Sequence, residues 1–248
     1  MALVKVEGII VKETPYGDTS KILQILTREY GIISVISKGC RSIKSKFRAS
    51  TKKLVLANFY INYKENGLSN LRDVDGIVFL SNVFTNIECI TYASYLVELA
   101  VSVIKENNNC IIFDLLKTAL IKINDGLDSG LITAIIEIKC LDFLGVSPNF
   151  SECVICGNKT DIITISVDNG GFLCTSCNKD SKIYKKRTVE LIRMFSLVDL
   201  EKVTKLNISS ESKKEIEEFI DLYYEKYTGI YLNSKKLIKN LRKIGRAV

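Results

Sequence analysis

Residues 53–64 read Lys-Leu-Val-Leu-Ala-Asn-Phe-Tyr-Ile-Asn-Tyr-Lys, followed by Glu65-Asn66-Gly67 and then Leu68 to Val74. The first run alternates. With Val55, Phe59 and Ile61 on one face it reads as a half-buried strand. Asn-Gly is hairpin-turn chemistry, so 68–74 returns as another strand. Three more short strands precede this hairpin. Val4, Val6 and Ile10 share a face near 3–12, and Lys21 to Thr27 and Ile32 to Lys38 follow. The turns between them are Thr14-Pro15-Tyr16-Gly17-Asp18 and Tyr30-Gly31. Five strands, with one longer connection between the third and fourth, predict a small closed barrel. The OB-fold has that strand count and binds nucleic acid across its sheet; an SH3-like barrel would give a similar string.

From about residue 80 the hydrophobic period becomes helical. Helices are predicted over Val83–Ile104, Cys110–Ile123 and Leu131–Leu144, the last stopped by Gly145 with Pro148 beyond. A loop-rich insert spans 150–182. Thr188 can cap the next helix, with Val189, Ile192 and Phe195 inside. Ser209 or Ser210 can cap another, with Ile216, Phe219, Ile220, Tyr223 and Tyr227 on one face. The last begins near Asn233-Ser234 and turns Leu237, Ile238, Leu241 and Ile244 inward. The fold class expected is multidomain α+β. An OB-like barrel occupies 1–79, a discontinuous helical domain occupies 80–149 and 183–248, and the 150–182 insert protrudes from it.

The chain has 248 residues, enough for one large domain or a few small ones. It contains no histidine. That removes Ser-His-Asp and Cys-His nucleophilic catalysis and every His-ligated zinc site. Nor is there a G-x-x-x-x-G-K-[ST] phosphate loop. No run approaches the ~18 uncharged residues of a membrane span, and the N-terminus lacks a secretory pattern. The expectation is a cytoplasmic, monomeric protein that is not an enzyme and has no membrane partner.

Charge is unevenly distributed. Net charge is +7, from 35 Lys and Arg against 28 Asp and Glu. Between Glu29 and Glu65 there is no acid, while Lys38, Arg41, Lys44, Lys46, Arg48, Lys52, Lys53 and Lys64 give +8. After Glu225 there is again none, while Lys226, Lys235, Lys236, Lys239, Arg242, Lys243 and Arg246 give +7. The remainder is therefore about −8 by difference. Two basic patches on an acidic body suit a polyanion better than a merely solvated face. Tyr16, Tyr30, Phe47, Tyr60 and Tyr63 are available for base stacking; alternation puts Phe59 inside and Tyr60 outside.

The sharpest motif is Cys153-Val154-Ile155-Cys156-Gly157, then seventeen residues from Gly157 to Leu173, then Cys174-Thr175-Ser176-Cys177. Paired C-x2-C knuckles aim four thiolates at one tetrahedral metal. The segment between them, with Ile162, Ile163, Ile165, Val167 and Gly170-Gly171, reads as a hairpin. Together they predict a zinc ribbon holding one structural Zn2+; four thiolates leave no position for a catalytic water. Cys89 and Cys140 lie in apolar helical context and read as small core residues.

A barrel, a helical region and a four-cysteine insert before returning helices together resemble the RecO family of bacterial DNA repair proteins. The carriers are Gly17-Asp18-Thr19-Ser20-Lys21, Lys38-Gly39-Cys40-Arg41-Ser42, Leu144-Gly145-Val146-Ser147-Pro148, the four cysteines, and Leu232-Asn233-Ser234-Lys235-Lys236-Leu237. The resemblance spans the chain in order. It implies a recombination mediator that binds single- and double-stranded DNA and anneals complementary strands. It also implies that the protein acts with RecR and helps load RecA onto strands coated by single-strand-binding protein. On that reading Lys38, Arg41, Lys44, Lys46, Arg48, Lys52, Lys53 and Tyr60 contact nucleic acid. Lys235, Lys236, Lys239, Arg242 and Lys243 receive the acidic C-terminal tail of single-strand-binding protein. The basic connection departs from the family in being lysine-rich, with Phe47 its only aromatic, and lysine lacks the bidentate fork of arginine. Three rivals stand beside this reading. They are an RNA-binding or transcription-associated adaptor, a metal-dependent nuclease using Asp73 and Asp75, and an adaptor whose basic faces only solubilise it.

Overall fold

The structure, a computed structural model, describes residues 2–106 and 109–244, with side chains to 105 and from 109 to 241. It is α+β. Five N-terminal strands, β1 (Ala2–Tyr16), β2 (Ser20–Thr27), β3 (Gly31–Ser37), β4 (Leu56–Tyr63) and β5 (Ser69–Val78), form one sheet. They close in the order β1-β2-β3-β5-β4, with β1 and β4 paired antiparallel and β3 and β5 parallel. Closure depends on the length of β1. Its first half pairs with β4, its second half pairs with β2, and an irregularity between Ile10 and Lys12 bends it from one to the other. Gly8 sits where both neighbours meet: a Cβ there would lie 2.5 Å from Ile25 Cγ2 and 3.2 Å from the Leu26 carbonyl oxygen. The interior holds Val6, Ile10, Leu23, Ile25, Val35, Phe59 and Ile61, so the alternation of 53–64 does put Phe59 inside.

That alternating run is not strand throughout. Residues 53–55 end the connection instead, with Leu54 at φ 70° and its N–H bonded to the Ile10 carbonyl at 2.9 Å. The expected turn at 14–18 is shorter too, because β1 continues to Tyr16.

Seven helices follow among the described residues: α1 (Ser81–Thr85), α2 (Ile87–Glu106), α3 (Ile111–Asn124), α4 (Ser129–Phe143), α5 (Lys186–Leu197), α6 (Ser210–Tyr227) and α7 (Asn233–Ile244). The helix expected over 83–104 begins as two, because the Asn86 carboxamide accepts from the N–H groups of Glu88 and Cys89 and starts α2 afresh. α2 is long and apolar enough to cross a membrane by length and composition, and it packs against α3 and α7. Asp128 caps α4, and Gly145 at φ 69° ends it.

Ser209 caps α6, as its position suggests. Thr188 does not cap α5. It is buried in the first turn and donates to the Glu215 carboxylate of α6, which also accepts from the Lys185 N–H. Among the described side chains of α7 the buried positions are Ser234 and Ile238; Leu237, expected inside, is 57% exposed, Leu241 is half-buried, and the side chain of Ile244 lies outside the described residues. The stripe is rotated because Glu98 of α2 accepts from both the N–H and the hydroxyl of Ser234, so a polar residue takes the inner position.

The chain forms two compact units, residues 1–126 with 232–248, and residues 127–231. In the second, β6 (Asn149–Cys153), β7 (Ile162–Ser166) and β8 (Gly171–Cys174) make a three-stranded sheet; β7 and β8 are the expected hairpin. This insert does not protrude. Arg193 of α5 donates to the Phe150 carbonyl at 3.0 Å and stacks 4.7 Å from the Phe172 ring. From α6, Tyr227 donates to the Val167 carbonyl at 2.8 Å, and Lys226 pairs with Asp168. The insert lacks an apolar centre large enough to stand alone, so the helices clasp it.

Candidate functional site

The four cysteines converge. The Sγ atoms of Cys153, Cys156, Cys174 and Cys177 all lie within 4.8 Å of one another, and those of Cys156 and Cys174 are 3.7 Å apart. A tetrahedral metal with sulfur ligands at about 2.3 Å demands sulfur separations of about 3.8 Å. The donor set therefore fits a four-thiolate metal centre before any metal is added.

Backbone turns do the aiming. The Gly157 N–H bonds the Cys153 carbonyl at 2.9 Å, with Gly157 at φ 72°; the Cys177 N–H bonds the Cys174 carbonyl at 3.1 Å. Burial pushes the Cys153 thiol up, but the N–H groups of Cys156, Cys174 and Ile155 outweigh it and hold the thiol down at about 6. Donating its S–H to the Cys156 and Cys174 sulfurs pushes the Cys177 thiol up to about 12. Metal binding requires thiolates, so a bound cation would draw the raised Cys156 and Cys177 thiols toward the ionised form that the Cys153 surroundings already favour. Cys153 and Cys174 are buried, Cys177 is half-buried and Cys156 is exposed, which leaves one solvent-facing side for metal entry.

The connection from 38 to 55 is ordered. The Arg41 guanidinium donates to the Gly17 carbonyl and its N–H to the Thr19 carbonyl, and the Gly39 N–H donates to the Ser20 hydroxyl. Lys21 donates to the Thr51 carbonyl, and Thr51 to that of Phe47 at 2.6 Å. Cys40 is fully buried and Phe47 packs against the barrel core, so the connection is pinned at both ends of its tip. Lys38, Arg41, Lys44, Lys46, Arg48 and Lys52 are exposed, and Lys53 is half-buried. They do not all remain available. Lys46 is paired with Asp73 at 2.9 Å. Tyr60 donates its hydroxyl to Asp75 at 2.8 Å and carries Lys5 at 5.3 Å over its ring.

The second basic window splits. Lys226 belongs to the unit of residues 127–231, whereas Lys235, Lys236 and Lys239 lie on α7, in the same unit as the barrel. Lys235 is half-buried, its Nζ 4.9 Å from the Tyr95 ring centroid; Lys236, Leu237 and Lys239 are exposed. The side chains of Arg242 and Lys243, and the whole of Arg246, lie outside the described residues.

Comparison with known proteins settles the family. Residues 1–78 match the family described as "Recombination protein O N terminal", and residues 85–236 match "Recombination protein O C terminal". The chain belongs to the RecO family. It is similar to "DNA repair protein RecO" of Bacillus pumilus, 33% identical over 96% of this chain and 94% of that one. It is also similar to "DNA repair protein RecO" of Bacillus subtilis, 31% identical over 96% and 95%. Membership of the RecO family supports a role in DNA repair and recombination.

Some residues around this RecO-family site are not legible in sequence. The acids that hold Lys46 and Tyr60 read there only as surface carboxylates. The nearest signal is the alternation of Asp73 and Asp75 along β5, which the pairing of Tyr60 with Asp73 and of Asn58 with Asp75 places beside β4. Glu98, which positions the start of α7, lies far from it in sequence and carries no local signal. Tyr30 and Tyr63, both candidates for base stacking, meet each other with ring centroids 4.6 Å apart.

Proposed function

We propose that this chain is a recombination mediator that binds single- and double-stranded DNA and anneals complementary strands. In this reading it helps load RecA onto strands coated by single-strand-binding protein, with RecR as partner, and performs no covalent chemistry. The barrel is OB-like: it closes β1-β2-β3-β5-β4 with β3 parallel to β5, and its nucleic-acid surface is the connection from 38 to 53. Its companions are the helical domain of 80–149 with 183–248 and the ribbon of 150–182, which holds one structural Zn2+. The protein works as a cytoplasmic, nucleoid-associated monomer.

One observation carries the reading. Lys38, Lys44, Arg48, Lys52 and Lys53 stand on an ordered, acid-free connection with no carboxylate paired to them among the described residues. Two strands repel through their phosphates, and cations that displace condensed counterions lower that repulsion. A connection whose backbone is already held by hydrogen bonds presents them without first having to order a loop. On α7, Lys236 and Lys239 beside exposed Leu237 suit an acidic peptide ending in an apolar residue, the expected form of the single-strand-binding protein tail. The nuclease rival is disfavoured because its two acids are engaged by donors: Asp73 accepts from Lys46 and Asp75 from the Tyr60 hydroxyl.

The test is fluorescence-monitored annealing of complementary strands without ATP, at low salt and at ~200 mM. Acceleration at low salt that collapses at the higher concentration is expected. No acceleration at low salt would sink the annealing claim, and tighter binding of structured RNA than of DNA would move the RNA-adaptor reading ahead.

A further inference from the structure

The outer barrel face carries a row of side chains across three strands. Lys5 of β1 pairs in register with Tyr60 of β4, and Tyr60 pairs with Asp73 of β5. Two residues along β5, Asp75 accepts from the Tyr60 hydroxyl at 2.8 Å and lies 3.6 Å from the Lys5 ammonium. Asp73 reaches the other way and accepts from Lys46 of the basic connection at 2.9 Å. Lys46 in turn stands over the Phe47 ring at 4.9 Å. Two carboxylates thus occupy three groups that a nucleic-acid strand would want: two ammonium ions and an aromatic hydroxyl.

We propose that Asp73 and Asp75 act as an internal stand-in for backbone phosphate, holding Lys46, Lys5 and Tyr60 until a strand displaces them. This deepens the reading under Proposed function and rests on it. Displacement is feasible because both pairs are open to solvent. The side chains of Lys46 and Asp73 are 68% and 56% exposed, and those of Lys5 and Asp75 are 51% and 49% exposed. An exposed pair of this kind is weak and screened by salt. A strand presents several phosphates at once, so it outcompetes a single carboxylate where a monovalent anion does not. The acids then select for charge density. Strands bind, isolated phosphates do not, and a bound strand can be surrendered in steps as each carboxylate recaptures its lysine. Annealing requires such surrender, since the paired product must leave.

Asp73→Asn frees Lys46, so binding of an oligothymidylate followed by fluorescence anisotropy should tighten about fivefold in low salt, with a salt dependence steeper by about 0.7 in log–log slope. Removing any acid near a polyanion helps a little, and Asp18→Asn measures that background. A double-mutant cycle with Lys46→Gln isolates the specific part. The gain from Asp73→Asn should vanish when Lys46 is Gln. An independent cycle uses Asp75→Asn with Lys5→Gln. If either acid variant gains as much with its lysine neutralised as with it present, or no more than Asp18→Asn, the stand-in role is overturned while DNA binding stands. If the unaltered protein binds no strand even in low salt, the functional reading falls and takes this inference with it.

Discussion

The ribbon and the basic connection are both candidate binding sites, and they are built on opposite principles. In the ribbon, four sulfurs aimed by two tight turns meet at a point, with two of them buried. Every ligand is fixed by the backbone next to it, so spacing alone foretells the geometry. On the connection the cations spread over an exposed surface, and their availability depends on partners elsewhere in the chain. Lys46 is held by Asp73, twenty-seven residues on, whereas Lys44 and Lys52 have no such partner among the described residues. A site of covalent ligands is local, while a site of charges is decided by register.

The largest test of this contrast is metal removal. Structural zinc in small peptides contributes about 10–16 kcal/mol near neutral pH, so excess chelator should release one metal per chain and raise amide exchange through β6 to β8. Amides of β1 to β5 should keep their rates. Cys174→Ser should do the same without chelator. Acid should as well, and its direction follows from Cys153. Its thiol ionises near 6 in the folded chain against an ordinary 9.0. Its contribution to stability is therefore complete above pH 9 and lost as pH falls toward 6, while protons also displace the metal. Metal content measured by atomic absorption across pH 8 to 5 checks this. Protection of the β6–β8 amides that survived complete metal loss would break the contrast.

The connection should respond gradually instead. Replacing Lys44, Arg48, Lys52 and Lys53 with Gln should lower the salt slope of single-strand binding by about 0.7 for each phosphate no longer neutralised, and weaken binding in low salt by orders of magnitude. Arg28→Gln and Lys117→Gln should change it little, because Asp114 and Glu7 already hold those cations. Equal losses from paired and unpaired cations would mean that only net charge matters and that the local wiring is irrelevant.

The same division explains what is legible in the sequence. Periodicity places the five strands, the ribbon hairpin and the inward Phe59, because each depends on neighbours within a few residues. The Ser209 cap is readable for that reason, and the Thr188 cap fails because Glu215, from the next helix, supplies the acceptor instead. Leu237 is expected inside because apolar residues usually fill the buried stripe. Nothing near Ser234 announces that Glu98 will satisfy its hydroxyl and let it take that place. The clasp on the ribbon is invisible for the same cause: Arg193, Tyr227 and Lys226 reach it from helices that follow it in sequence.

That clasp supplies the smallest and most discriminating test. If the metal alone holds the ribbon, Arg193→Ala should leave its stability untouched. The guanidinium, however, bonds the Phe150 carbonyl at 3.0 Å and stacks on the Phe172 ring, which is itself fully buried. A hydrogen bond from a charged donor together with a cation–π contact should be worth about 1–3 kcal/mol in total. With metal bound, Arg193→Ala should therefore lower Tm by several degrees and raise exchange in β6 and β8. Metal stoichiometry should stay at one, because no ligand has moved. Arg193→Lys should recover only part of the loss, since an ammonium keeps the charge but not the planar stack. An unchanged Tm in Arg193→Ala would show that the four thiolates carry the ribbon by themselves, and that the helices merely border it.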